Sequence, residues 1–446
     1  MDKNFIFKII EKLKKKGCDQ SDVFLTKNFS ISSSRRLGKL EKNEQSESYD
    51  VGIRAIVGKK QSIISSNNVN LKNIESLISN LYERVLVVPD NPNCGLLEST
   101  KVSSFDKKKF DSLDLCDSKY PNISDLAEKA KILEDSALKN PLITNSEGAE
   151  VSWSRSDFFL GASNGMYQEF KKTNSSYILA VLASKDFSME RDYDYKSSVY
   201  LNDLGDLEKI GTETADRAVS KLNSRKIKTC KTSVIFDAKV APSLISNLSS
   251  ASNSSIITRG TSFLKDKLNK TIFGKKINII DNPMIKRQTK SKIVDSEGNE
   301  CSNKKLIENG TLKFFFNSLE YARQLNQKPS GHASRSPSSL PYPSPTNLYL
   351  EKGDISKEKL IKELNNGLLI TELMGSSINY SNGDYSRGAN GFWIENGEIT
   401  YPVSEITIAG NLIDMFANLT PANDLEFKFG INSPSCLIEK MTVAGI

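Results

Sequence analysis

The sequence predicts an α+β fold with helices flanking an N-terminal α/β module, a mixed middle module and a β-rich C-terminal domain full of antiparallel hairpins. Three observations lead there. Apolar residues recur at helical spacing in only a few segments, most of them in the first half. Between those segments they alternate in short runs, as half-buried strands do. Asn-Gly pairs and clustered glycines then punctuate the last 150 or so residues, where tight turns are needed.

The elements follow in order. Phe5, Ile6, Ile9, Ile10 and Leu13 share one face of a helix over 3–17. "DVFLTKNFSISSS" and "SYDVGIRAIVGKKQSIISS" read as strands, the second folding back at Gly58. Leu71, Ile74, Leu77, Ile78 and Leu81 mark a second helix, which "PDNPNCG" breaks. These make an N-terminal module over 1–95, and the polar stretch 96–120 reads as a linker. A middle module over 121–227 opens with a helix whose N-cap candidate is Ser124. Three β runs follow from "AEVSWSRSDFFLGASNG" to "MERDYDYKSSVY", and a helix near 204–223 closes the module. The C-terminal domain, 228–446, starts with the strand "TSVIFD" and a helix carrying Pro242 in its first turn. Two hairpins there turn on Asn-Gly, "LIENGTL" and "WIENGEI". A two-residue loop at Asn396-Gly397 pairs Ile394 with Ile399, Phe392 with Tyr401, Trp393 with Thr400 and Glu395 with Glu398. Pro402 cannot donate to a ladder, so its strand is an edge or is broken.

Composition excludes several functions. The 446 residues suffice for two or three domains, and no run of about 18 apolar residues is present, so no membrane span and a cytoplasmic location are expected. The start of the chain lacks a signal-peptide pattern. The net charge of +7 is spread in small clusters without interleaved aromatics, which speaks against nucleic acid. The six cysteines form no CxxC pair. The one histidine, His332, cannot by itself supply the two or three imidazoles of an ordinary zinc hydrolase. No GxGxxG, Walker A or GxSxG motif is present.

Few residues are left to carry chemistry. His332 sits in "KPSGHASRSPSSLPYPSPTNLYLE", an irregular segment with Gly331, Ser334 and Arg335 beside it. Such a segment lines a cleft or is a plain surface loop. Arg387 in "DYSRGANG" stands between Tyr385 and Gly388. Its fork suits a carboxylate or backbone carbonyls, or an ion pair with Asp384. Cys436 reads as a buried thiol.

"GDYSRGANGFWIENGEITYPVSEITIAGNL", "GLLITELMGSSIN" and "GHASR…PSPTNLYLE" resemble the signature blocks of the TldD/PmbA family, on its PmbA/TldE side, once called modulators of DNA gyrase. The likeness runs over nearly the whole chain, since "SYDVGIRAIVGKKQSIISSN" resembles the family's first module. It implies a cytoplasmic, heteromeric zinc metalloprotease that cleaves unfolded or small peptides, among them a peptide-antibiotic precursor and an antitoxin. TldD-type subunits carry a His-Glu-x-x-x-His helix and a C-terminal Cys that hold zinc, the Glu activating water. The equivalent helix here, "VAPSLISNLSSASNSS", has Leu244, Ile245 and Leu248 for a core and Ser246, Asn247, Ser249 and Ser250 elsewhere. The resemblance therefore implies no catalytic residue, metal or cofactor in this chain, and zinc in a TldD-type partner. It also implies that the chain pairs with that partner, or also with itself. Gly331, His332, Ser334, Arg335, Tyr385, Arg387 and Gly388 are the candidate peptide-binding residues. The rival reading is a non-proteolytic binding protein that modulates DNA gyrase or an RNA-binding regulator. A standalone protease using His332 and a serine lacks a nucleophile motif.

Overall fold

The computed structural model describes residues 2–446, with the side chain of Leu71 outside the description. It confirms an α+β chain with a strand-rich C-terminal half. Helix α1 (Asp2–Lys16) buries Ile6, Ile9, Ile10 and Leu13. Strands β1 (Gln20–Arg36), β2 (Lys39–Val57) and β3 (Lys60–Ser66) form an antiparallel meander. Helix α2 (Leu71–Val87) follows, capped by Asn70. The expected linker is folded: a short helix α3 (Lys107–Asp111) and Phe110, Leu113 and Leu115 are packed inside. In α4 (Ile123–Leu138) the N-cap is Asn122, not Ser124. Asn122 and Asp125 form a reciprocal capping box, which satisfies two backbone donors where a serine would satisfy one. Strands β4 (Ile143–Ala162), β5 (Tyr167–Lys185) and β6 (Ser188–Ser198) and helix α5 (Leu207–Ser220) complete this part.

All six strands make one antiparallel sheet, ordered β3-β2-β1-β4-β5-β6. β1 pairs with β2 on one side and with β4 on the other over most of its length, so the 1–95 and 121–227 segments share a sheet. Odd-numbered residues of β1 face the helices. Val23, Leu25, Val51, Ile53 and Phe159 pack on α1 and α2 at one end. Ile31, Val151, Trp153 and Leu179 pack on α4 and α5 at the other. Even-numbered residues turn to the opposite face, where Asp22 pairs with Arg335 of the C-terminal domain and Phe24 lies beneath that guanidinium.

That domain begins with β7 (Cys230–Phe236), α6 (Pro242–Ala251) and α7 (Ser254–Thr258). Short strands follow: β8 (Ile279–Asp281), β9 (Lys304–Glu308), β10 (Thr311–Leu312), then helix α8 (Leu319–Gln324), β11 (Ala333–Ser334), β12 (Tyr342–Pro343) and β13 (Leu348–Leu350). After α9 (Lys357–Lys362) come the long strands β14 (Asn366–Asn379), β15 (Asp384–Glu395) and β16 (Glu398–Asn411). Helix α10 (Leu412–Ala417), β17 (Leu419–Pro421), β18 (Ile431–Asn432) and β19 (Cys436–Ala444) close the chain. Its two main sheets run β10-β9-β8-β13-β18 and β16-β15-β14-β7-β19-β17.

Both Asn-Gly turns form, with left-handed φ at Asn309, Gly310, Asn396 and Gly397. Ile394 meets Ile399 and Glu395 meets Glu398 as expected, but a bulge then shifts the register. Trp393 therefore pairs with Tyr401 and Phe392 with Pro402, rather than with Thr400 and Tyr401. Gly391 lies just past this bulge, where a Cβ would stand 1.9 Å from the Leu369 carbonyl O.

Candidate functional site

His332 is neither on a surface loop nor in a cleft wall: with Gly331 and Ala333 it is inside the protein, while Ser334, Ser336 and Ser338 further along the segment are exposed. His332 is 2% exposed. Its Nδ1 lies 2.9 Å from Ser330 Oγ and its Nε2 3.1 Å from Asp281 Oδ1. The rings of Phe314 and Phe316 stand 5.5 and 4.9 Å from the imidazole. Asp281 also accepts from the Thr346 backbone N–H (2.7 Å) and from its hydroxyl. Burial alone would raise the Asp281 carboxyl; its bonds to His332 and Thr346 outweigh that and hold it below the usual carboxylate range. Gly331 takes φ +75°, and a Cβ there would come within 2.5 Å of the Glu300 carbonyl O, so this segment approaches its neighbour as only glycine permits.

Arg335 is likewise enclosed. Its guanidinium pairs with Asp22, which also accepts from Arg54 Nε at 2.6 Å. Burial pushes Asp22 up, but Arg335 and Arg54 together hold it below its ordinary value. Close by, Glu297 accepts from the Leu319 N–H at 2.6 Å. Burial and the charge of Asp295 push its carboxyl up to about 7. Thus His332 and Arg335, expected to touch peptide, instead pin a Pro-rich segment to β1, β2 and β8. Of that group only Ser334 is exposed.

The other candidates lie on β15. Tyr385 is buried, and its hydroxyl lies near enough to Arg387 for the guanidinium to act on it. Arg387 makes no ion pair with Asp384, which bonds Asn382 and Asn411 instead. Arg387 Nε donates to the Gly375 carbonyl O at 2.8 Å, across a bulge in β14. Gly388 pairs with Met374 in the same ladder. Among the described residues, no hydrogen bond, ion pair or ring contact joins this group to the His332 segment.

Beside Arg387 the sheet is unfinished. β7 pairs with β14 only from Gly367 to Ile370. Among the described residues no strand lies along that side of β14 from Thr371 to Asn379, and Met374, Gly375, Ser376 and Ser377 are exposed. A cleft of about 320 Å³ opens at the start of α6, lined by Arg217, Asp237, Lys239, Lys357, Asp424 and Ser433 among others.

Helix α6 itself decides what chemistry is feasible. Leu244, Ile245 and Leu248 are fully buried in the core. Its polar side offers Ser243, Ser246, Asn247 and Ser250, and Tyr380 Oη donates to Asn247 Oδ1 at 3.2 Å. Cys436 lies one strand away, paired with Phe236. Burial raises its thiol to about 12, and among the described residues the Sγ has only Ser433 Oγ (3.4 Å) and the Pro434 carbonyl O (3.3 Å) as hydrogen-bond partners. Zinc takes imidazole, thiolate or carboxylate. Hydroxyls, an amide and a protonated thiol do not fit it, and the one imidazole is engaged elsewhere. Among the described residues no three His, Cys, Asp or Glu side chains are grouped to hold a metal ion.

Residues 21–84, 117–222 and 229–445 match, in turn, domain 1, the central domain and the C-terminal domain of the PmbA/TldA metallopeptidases. The chain belongs to the PmbA/TldD family. It is 33% identical to Metalloprotease PmbA of Escherichia coli O157:H7 over 429 residues, covering 96% of this chain and 92% of that one. It is 32% identical to the Metalloprotease PmbA homolog of Haemophilus influenzae, over 95% of this chain and 92% of the relative. A Bacteroides thetaiotaomicron protein described as a modulator of DNA gyrase superposes with a TM-score of 0.91 at 26% identity, over 100% of this chain and 99% of that one. TldE of Thermococcus kodakarensis shares the fold, with a TM-score of 0.85 at 20% identity over 98% of this chain and 99% of that one. No described helix is long and apolar enough to cross a membrane.

Asp22, Arg54, Asp281 and Glu297 carry much of this geometry, and none was singled out from the sequence. Each acts through a partner more than 20 residues away, and no local spacing signals such a pair.

Proposed function

We propose that this chain is the TldE/PmbA-type, zinc-free subunit of a cytoplasmic, heteromeric TldD/TldE metalloprotease that cleaves unfolded or small peptides. The observation that carries it is α6: a well-packed helix in the position expected of the family's metal helix, presenting serine and asparagine instead of histidine and glutamate. A chain so built supplies wall and binding surface while a TldD-type partner supplies zinc and the water-activating carboxylate. The bare edge of β14 suits an extended peptide, whose main chain can add to an open ladder. Arg387 and Gly388 lie in the ladder next to that edge, so the peptide-binding role narrows to them. His332 and Arg335 support the scaffold.

The test uses the purified full chain. Elemental analysis after chelator-free purification should find far less than one zinc per chain, and the chain alone should leave unfolded peptides intact. Mixed with a TldD-type subunit, it should form a complex with chelator-sensitive cleavage above that of the partner alone. One zinc per chain, or chelator-sensitive cleavage by the single chain, overturns the reading.

A further inference from the structure

A strand inside a sheet pairs its main chain on both sides, and β5 does so over only part of its length. β4 pairs with it from Tyr167 to Ala183, but β6 lies on its other side only from Ser175 onward. Two hydrogen bonds fix which way the intervening main chain points. The Met166 carbonyl O accepts from the Ala162 N–H on the β4 side. The Thr173 N–H donates to the Leu115 carbonyl O at 3.0 Å on the other side. Because main-chain groups alternate along a strand, the N–H and C=O groups of Tyr167, Glu169 and Lys171 point away from β4. Among the described residues, these groups have no hydrogen-bond partner on that side.

This edge borders a cleft of about 870 Å³, which Tyr167, Glu169, Phe170 and Lys171 line together with Phe105 and Phe110 among others. Its volume is that of an ordinary ligand site. The rings of Phe105 and Phe110 stand 5.8 and 5.1 Å from that of Phe170, and Phe105 and Phe170 stay half exposed. The charges at the rim are engaged. Glu169 accepts from Tyr167 Oη at 2.9 Å, Lys171 pairs with Asp157 on β4, and Lys107 pairs with Asp111. The Glu169 and Lys171 heads are thus held along and across the sheet, whereas charges that guard an edge stand free in front of it.

Open ladder groups beside aromatic rings are complementary to an extended peptide. Its main chain takes the hydrogen bonds, and every second side chain reaches the rings. The same side of β5 is already strand-paired next door, by Leu115 at Thr173 and by β6 beyond it. We propose that the β5 edge from Tyr167 to Lys171 is a docking site for an extended stretch of unfolded polypeptide that carries an aromatic or large aliphatic side chain. The site lies on the N-terminal sheet, apart from α6 and β14. It calls for binding and not for cleavage, so it stands without the peptidase reading.

The test is amide hydrogen exchange of the full chain with a synthetic peptide of about seven residues, threonines around a central phenylalanine. The peptide should slow exchange at Tyr167, Glu169 and Lys171, and the effect should saturate. The same peptide N-methylated at every residue keeps the side chains but lacks the ladder donors, and should leave that exchange as it was. Glu169→Pro removes one outward N–H and sets a ring at the edge. Protection of Tyr167 and Lys171 should then need at least roughly tenfold more peptide, with Tm nearly unchanged, because that N–H bonds nothing within the chain. Phe105→Ser should raise the peptide requirement about fivefold through the lost ring contact. Unchanged exchange at the β5 edge, protection confined to β14, equal protection by the N-methylated peptide, or undiminished protection in both variants overturns the proposal. Protection that grows with protein concentration in the absence of peptide would make the occupant a second copy of the chain, and overturns it as well.

Discussion

Asp22 loses its water on folding yet keeps its charge, because Arg335 and Arg54 close over it. Asp192, facing Lys239, Lys221 and Arg217, and Asp281, facing His332 and Thr346, are held the same way. Their folded pKa values lie below the unfolded ones. The stability they contribute is therefore complete above about pH 4 and is lost as pH falls further. Lys172 has the opposite sign. Its folded value is about 7, against about 10.4 in an unfolded chain. Between these the unfolded chain holds a proton that the folded chain has released, so stability rises with pH. The rise in urea midpoint from pH 7 to pH 8.5, before the buried thiols count, should be clearly smaller in Lys172→Met than in the wild type. Equal slopes would remove Lys172 as its source. The sequence named His332 and Arg335 but gave no sign of their burial. A Ser/Pro/Gly-rich segment looks the same whether solvent or a neighbouring sheet covers it, and the partners Asp281 and Asp22 lie 51 and 313 residues away.

At the level of elements, the sequence reads well wherever a period acts locally. Ile74, Ile78 and Leu81 bury as helical spacing requires, and both Asn-Gly turns form. It reads poorly wherever one extra residue matters, since the bulge beside Trp393 moves the pairing of the whole upper hairpin. Arg387 belongs to this scale. Its Nε holds the Gly375 carbonyl across the β14 bulge, and its charge also acts on the neighbouring Tyr385 hydroxyl. Arg387→Ala should lower peptide turnover by the mixed complex roughly tenfold, the loss of one charge-assisted hydrogen bond. The urea midpoint of the isolated chain should barely move, because the site is at the sheet surface. If the variant instead loses stability and the assembled complex keeps full turnover, Arg387 is a brace for the bulge and nothing more.

Across the whole molecule, local reading separates what folding joins. Segments 1–95 and 121–227 look like successive modules, but β1 and β4 pair across more than 100 residues, and only their alternation, not their partnership, is written locally. The open edges show the same divide. On the side of β2 turned away from β1, no described strand pairs with residues 39–50, and Lys39, Glu41, Lys42, Glu44 and Glu47 there discourage pairing. The open part of β14, "TELMGSSIN", has only Glu372 as a charge, and that is turned inward to Lys221. One edge is guarded and the other is left available. Two buried ionic joints bind the N-terminal sheet to the C-terminal domain. Asp22 and Arg54 meet Arg335 at one end, and Asp192 meets Lys239 near the other, with Lys221 reaching across to Glu372 at 3.0 Å. Removing one partner from such a joint leaves a buried charge uncompensated, at about 3–5 kcal/mol. With both broken, the domains should no longer unfold together. Scanning calorimetry of the Lys221→Met/Lys239→Met/Arg335→Met triple variant, which removes every cation of both joints that crosses between the domains, should show two transitions where the wild type shows one. A single transition, lowered but undivided, would mean that the apolar contacts of Phe110, Phe170 and Val199 with Ile293 and Val294 carry the coupling and the ion pairs only tune it.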